Sequence, residues 1–187
     1  MNVTIYKTFG DTSAGYIRPI DVIIDRIKTG KSKQIVEEVR KCKDKKEADK
    51  VKRTLPAILF SGEFRQRNDA SIEKHSGLIC LDFDKFETNE ELNSFKGKLV
   101  SDKYTYILFL SPSGNGYKVI VKIPQDIENH KLYFEALKEH YNSKYFDISC
   151  SNISRICFES YDPEIYVNPH SDVWDIMSER DIYDMEE

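Results

Sequence analysis

Asp82 and Asp84 close an apolar run, Leu78-Ile79-Cys80-Leu81, with Phe83 between them. In a strand, residues i and i+2 point to one face, about 6.7 Å apart. The two carboxylates therefore project together while Phe83 goes to the opposite side. So close a pair is repulsive, and one or two divalent cations resolve the repulsion. A strand that simply ends in polar residues would read the same way. A second group is Ser111-Pro-Ser-Gly-Asn-Gly-Tyr-Lys118, between two apolar runs. Asn115-Gly116 in that setting is a hairpin signal. Ser111, Ser113 and Gly114 exceed what a hairpin needs, and such a loop can aim backbone N–H groups and hydroxyls at a phosphate. Lys118, opening the next run, would add an ammonium to the same anion. The third group is Asp147, followed by Ser149, Ser151, Asn152, Ser154 and Arg155 ahead of another apolar run. Asp147 also suits a cap or turn. Arg155, a charge leading a core strand, needs an anion beside it. Carboxylates for metal together with cations for phosphate make up the equipment of two-metal phosphoryl or nucleotidyl transfer.

The elements that must position these residues follow from periodicity. NVTIYKTF alternates and reads as a strand. Pro19 opens a helix with Ile20, Ile23, Ile24 and Ile27 on one face, and Gly30 stops it. Ser32 is placed to cap a second helix through about Lys52. LPAILF (55–60) is a short strand, GEFRQRNDASIEKHS a polar loop, and GLICLDF (77–83) a strand. Thr88 with Glu91 three residues on has the capping-box pattern ahead of a helix. YTYILFL and YKVIVKI are strands, NHKLYFEALKEHYNSKYF an amphipathic helix, and RICFES (155–160) a strand. Residues 171–185 read as a weak acidic helix. The order β-α-β-β-α-β over about 76–160 predicts an α+β fold, a ferredoxin-like or RRM-like mixed sheet with helices on one face. Three parts are expected: a small N-terminal αβ module with a basic helix (1–54), the sheet core (55–165), and an acidic C-terminal helix or linker (166–187).

Composition narrows the classes. The chain has 187 residues, 40% hydrophobic, with 11 Tyr and 10 Phe, which is too much apolar surface for a wholly disordered chain. No run approaches the roughly 18 apolar residues of a membrane helix, so no membrane partner is expected. The N-terminus lacks the layout of a signal peptide, which places the protein in the cytoplasm. Cys42, Cys80, Cys150 and Cys157 form no C-x-x-C pair and read as free thiols; the four His show no metal-ligand spacing. The net charge of −4 argues against coating nucleic acid by bulk charge. It is unevenly spread: residues 26–53 hold 12 basic and 5 acidic residues, and 159–187 hold 1 basic and 10 acidic. A basic helix face can bind phosphates, or can be solvated only.

With these motifs in hand, the chain resembles the archaeo-eukaryotic primase and primase-polymerase superfamily, in the branch seen as the VirE-type N-terminal domain of bacterial mobile-element and phage replication proteins. ICLDFD resembles its first motif at Asp82 and Asp84, SPSGNGYK its second at Ser113 through Lys118, and FDISCSNISRICF its third at Asp147 with Arg155 trailing. The resemblance covers about 55–165. It implies a template-directed nucleotidyltransferase that makes primers in mobile-element or phage replication. Asp82, Asp84 and Asp147 would be the catalytic residues, holding two Mg²⁺ or Mn²⁺. The loop Ser111, Ser113, Gly114, Asn115 and Gly116, with Lys118 and Arg155, would clamp a nucleoside triphosphate. Arg65 and Arg67 would touch incoming nucleotide or template phosphate, and the Lys-rich helix 31–53 would lie along single-stranded DNA. A helicase domain or partner is the implied companion. The superfamily usually has His where this chain has Lys118; a lysine stays charged at neutral pH, which suits phosphate and excludes a role for neutral imidazole. Two other functions use the same residues: a non-catalytic nucleic-acid-binding module that recruits a helicase, and a metal-dependent nuclease or phosphatase.

Overall fold

The computed structural model describes residues 1–178. Strand β1 (Asn2–Tyr6) pairs antiparallel with β2 (Tyr16–Pro19), an exposed strand the sequence pattern did not announce. Helix α1 (Ile20–Thr29) buries Ile20, Ile23 and Ile27, and Gly30 ends it at φ +80°, its N–H on the Arg26 carbonyl. The predicted single helix from Ser32 to Lys52 is two: α2 (Lys33–Lys41) and α3 (Lys45–Lys52). Cys42 turns extended, and Asp44 restarts the helix by accepting the Glu47 N–H. Ser32 does not cap; its hydroxyl donates instead to the buried Glu159 carboxylate. A fully buried carboxylate demands donors, and that demand outranks an exposed helix end.

Strand β3 (Ala57–Leu59) lies beside β1. The stretch read as a polar loop contains a hairpin, β4 (Gly62–Phe64) and β5 (Ile72–His75). Its polar residues hide the pattern, and it is held from outside: Thr4 Oγ1 donates to the Gly62 carbonyl and accepts the Phe64 N–H. The next elements follow the expected order: β6 (Leu78–Phe83), α4 (Asn89–Ser101), β7 (Thr105–Leu110), β8 (Tyr117–Lys122) and α5 (His130–Tyr141). Thr88 caps α4 by accepting the Glu91 N–H, while Glu91 reaches back to the N–H of Glu87 rather than Thr88.

The α+β class holds, with antiparallel sheets. The last expected strand does not join the β6–β8 sheet. Only Cys157–Phe158 (β9) is extended there, and it pairs with β3. The fourth place is taken by β10 (Tyr166–Val167), giving the order β10-β7-β8-β6 beside a second sheet β2-β1-β3-β9. The cause is local. The Glu159 N–H donates to the Pro56 carbonyl, and the Glu159 carboxylate takes Arg26 and Ser32, so this segment is tied to the N-terminal layer. Of the expected acidic helix 171–185, residues 171–178 are not helical: Val173 bridges Lys122 and Trp174 is buried. The remainder of that expectation lies outside the described residues.

One face of the β6–β8 sheet (Leu81, Phe83, Val119, Leu108) packs on α4 and α5 through Leu92, Leu99, Phe134 and Leu137. The other face (Leu78, Ile107, Phe109, Ile120) packs on α1 and the second sheet through Val3, Ile23, Ile58 and Cys157. Alternation along β6 and β8 puts Asp82 and Lys118 on this inter-sheet face, at its open end. Among the described residues no helix is long and apolar enough to cross a membrane.

Candidate active site at the end of the inter-sheet layer

Strand β6 is flanked on both edges where its carboxylates begin. On one edge the register sets Asp82 opposite Lys118 and Phe83 opposite Tyr117. On the other, residues 145–147 run alongside: the Asp84 N–H donates to the Tyr145 carbonyl and the Asp147 N–H to the Asp82 carbonyl, both at 2.9 Å. Phe83 points the opposite way and packs edge-on against Tyr141 and Phe146. The aromatic core thus anchors the backbone that brings Asp147 to Asp82.

Asp147 is held in place. Its Oδ1 accepts the Ser149 N–H (2.9 Å) and hydroxyl (2.7 Å), its Oδ2 accepts the Cys150 thiol (3.3 Å), and Arg155 stands 3.8 Å away. Burial alone would raise its pKa; the bonds from Ser149 and Cys150 and the Arg155 charge outweigh that and leave it lowered. Asp84, just past the end of β6, goes the other way. Burial, then the charges of Asp82 and Asp147, raise its pKa. The Cys150 thiol is pushed up to about 12, chiefly by burial. Donor atoms of Asp82, Asp147 and Cys150 all lie within 4.8 Å of one another. Cys150 escaped the sequence reading, which had no reason to separate it from the other buried thiols.

Lys118 does not stand free over the loop. Its ammonium is ion-paired with Asp82, both side chains being about 15% exposed. Burial opposes the charge on Lys118, but Asp82, with Cys157 and Cys80, prevails and its pKa is raised. The free thiols Cys80 and Cys157 line the same small cavity as this pair, and the Cys157 thiol donates to the Phe158 carbonyl at 3.6 Å.

The loop between β7 and β8 is tightly wound. The Ser111 N–H donates to the Gly116 carbonyl and the Gly114 N–H to the Ser111 carbonyl. Gly114 has φ +76°, and a Cβ on Gly116 would sit 2.4 Å from the Phe83 carbonyl oxygen, so both positions require glycine. Arg40, from α2, clamps this loop from outside: its Nη2 donates to the carbonyls of Ser111 (3.1 Å) and Tyr161 (2.9 Å). Nothing in the sequence distinguishes Arg40 from its basic neighbours; only its docking does.

A cleft of about 490 Å³ opens between the α2–α3 corner and this loop, lined by Arg40, Lys43, Lys45, Lys52, Asp82, Asp84, Ser113 and Asn115 among others. A smaller cavity of about 220 Å³ adjoins it through Asp82, Lys118 and Lys52, and reaches Cys150, Arg155 and Phe158. The structure thus gathers Asp82, Asp84, Asp147, Ser111, Ser113, Asn115, Lys118 and Arg155 at one place. It does not bring Arg65 or Arg67 to either opening. Arg65 is exposed on the β4–β5 hairpin, and Arg67 donates to the Phe9 carbonyl at 2.6 Å.

Fold and site together define an α+β protein whose two sheets share a core, with a carboxylate cluster at the open end. Residues 50–167 match the family described as BT4734-like, N-terminal domain, and the chain belongs to that family. The matched span carries all three carboxylates, the β7–β8 loop and Arg155. Among solved structures, the AEP domain (PP-N190) of the primase-polymerase (PrimPol) of cyanophage S-2L is similar at 11% identity. The likeness covers 93% of this chain and 84% of that one, with a TM-score of 0.48. No curated protein matches the chain.

Proposed function

We propose that the protein is a metal-dependent nucleotidyltransferase of the primase-polymerase kind, joining nucleoside triphosphates on a single-stranded DNA template. The observation that carries this reading is the approach of Asp147 to Asp82 beside a cleft whose walls bear Asp82, Asp84, Arg40, Lys43, Lys45 and Lys52. The donor set fits Mg²⁺ or Mn²⁺: it is mostly carboxylate oxygen, and Asp84, whose pKa is raised by burial and then by the charges of Asp82 and Asp147, adds like charge that a cation would relieve. Asp82, Asp84 and Asp147 would hold the ions, which when bound activate the attacking 3′-hydroxyl and stabilise the departing pyrophosphate.

The remaining steps belong to the chain itself. Ser149 and Cys150 fix the Asp147 rotamer, so the carboxylate needs no reorganisation on binding. Lys118 offsets one charge of the cluster and orients Asp82. Ser113, Gly114, Asn115 and Gly116 would present a short polar rim to the triphosphate, and Arg155 would supply a cation for its charge. Lys43 and Lys45 line the larger cleft with Asp82 and Asp84.

One observation favours a second reading. The Lys118–Asp82 ion pair occupies a carboxylate that a metal would need, which suits a module that binds nucleic acid without transfer and recruits a helicase. The separating experiment supplies radiolabelled nucleotides, Mn²⁺ and a single-stranded DNA template. Primer synthesis with pyrophosphate release, lost in Asp82→Ala/Asp84→Ala, supports the transferase. DNA binding with no pyrophosphate supports the module. Loss of the template strand without nucleotides would instead make it a nuclease.

A further inference from the structure

Away from the carboxylates, a group of cations without acidic partners surrounds two phenylalanines. Phe9, in the loop after β1, and Phe158, in β9, have ring centroids 5.9 Å apart. The guanidinium groups of Arg53 and Arg67 stand 5.0 and 4.7 Å from the Phe9 centroid, and the Lys52 ammonium 5.6 Å from that of Phe158. Among the described residues none of Lys52, Arg53 or Arg67 forms a salt bridge. In a chain of net charge −4 this is unused positive charge. The loop that carries Phe9 is fixed by the same residues: the Phe9 N–H donates to the Arg53 carbonyl at 3.2 Å, and Arg67 Nη1 to the Phe9 carbonyl. Both residues are half-buried. Phe9, Lys52 and Phe158 also line the smaller cavity, and so does Asp82. The patch therefore begins at the carboxylates and runs outward over the N-terminal layer.

We propose that the Phe9–Phe158 patch is a track for single-stranded nucleic acid leading to Asp82, with bases stacked on the two rings and phosphates on Lys52, Arg53 and Arg67. Single-strand sites combine aromatic platforms with a cationic groove because every base has a π-face and every linkage a charge. The cations now resting on the rings are the ones freed to meet phosphates when a base takes their place. An acidic peptide would satisfy the charges but leave the flat aromatic pair without a matching surface. This assignment rests on the transferase reading only in naming the bound strand as the one copied; binding itself stands apart from catalysis.

The test is affinity of the full chain for fluorescein-labelled oligo-dT and oligo-rU, without nucleotide and across a salt series. Phe9→Ala should weaken binding about 5- to 150-fold, the range for loss of one base–aromatic stack. Arg53→Gln should lower the log–log salt slope by roughly 0.7. Lys98→Gln, an exposed charge on α4, should change neither. A 5-iododeoxyuridine oligomer should photocrosslink to Phe9 or Phe158, located by mass spectrometry, and the dT-to-rU affinity ratio then assigns the sugar. Wild-type affinity in both Phe9→Ala and Arg53→Gln overturns the track, as does an equal loss in Lys98→Gln, which would mean bulk charge. If primer synthesis persists with those results, the track alone has failed. If binding falls as stated but no synthesis occurs, the transferase reading has failed and the track stands.

Discussion

Replacing Lys118 by methionine keeps most of the side-chain volume and removes the cation from Asp82. Both partners are about 15% exposed, so the pair is mostly desolvated but not sealed. Removing one partner of a buried pair costs about 3–5 kcal/mol, and the residual exposure argues for the lower end. At roughly 2–4 °C per kcal/mol for a domain of this size, Tm should fall by about 6–12 °C in EDTA. The deficit should be the same at pH 6.5 and 8.5. The folded pKa of Lys118 lies above its unfolded value, so the pair's contribution is complete below about 10.4 and is lost only as pH rises through the raised value. Manganese gives the second half of the prediction. In the wild type Lys118 competes for Asp82; in Lys118→Met the carboxylate is free, so Mn²⁺ should raise the variant's Tm more than the wild type's. Differential scanning fluorimetry with and without Mn²⁺ reads both effects. A fall below about 2 °C in EDTA would show that the pair is merely a solvated contact. Equal manganese shifts in the two proteins would refute the idea that Lys118 and a cation share Asp82.

Asp84→Asn should raise Tm at pH 7 in EDTA and abolish Mn²⁺ binding by calorimetry. A carboxylate whose folded pKa is raised destabilises the fold above that value, so the gain should vanish as pH falls below the ordinary aspartate range. Arg26→Met strips the bidentate partner from the fully buried Glu159 and leaves it only Ser32, which should cost about 3–5 kcal/mol in urea unfolding; a loss under about 1 kcal/mol would mean Glu159 finds another donor. His75 and His130 are buried and bonded to each other at 3.0 Å, with pKa values pushed down by burial to about 4 and about 3. Their stabilisation is complete above about pH 6.5 and drains away below it, by up to about 1.4 kcal/mol per pH unit per histidine. A flat Tm between pH 6.5 and 5 would contradict that.

Much of this was written locally. The alternation of GLICLDF, the Thr88 cap, the helical spacing of the isoleucines after Pro19 and the Gly30 stop depend on neighbours within a turn or two, and each appears where its residues say. Asp82 and Asp84 were legible because a period of two puts both on one face whatever the strand packs against. The hairpin in GEFRQRNDASIEKHS was not, because its polar residues show no period and Thr4, from β1, supplies its bonds. Partners distant in sequence decided the rest. Lys118 reads as a free cation beside a glycine turn, but a one-to-one antiparallel register sets it against Asp82. RICFES reads as the last strand of the β6–β8 sheet, but Arg26 and Ser32 hold Glu159 and draw the segment to the other layer. Arg40 and Cys150 look like any basic or buried residue until the β7–β8 loop and Asp147 arrive beside them. Local periodicity determines which face a side chain takes. Which group meets it there is set by register and by where buried charge finds its partner, and those are properties of the packed chain.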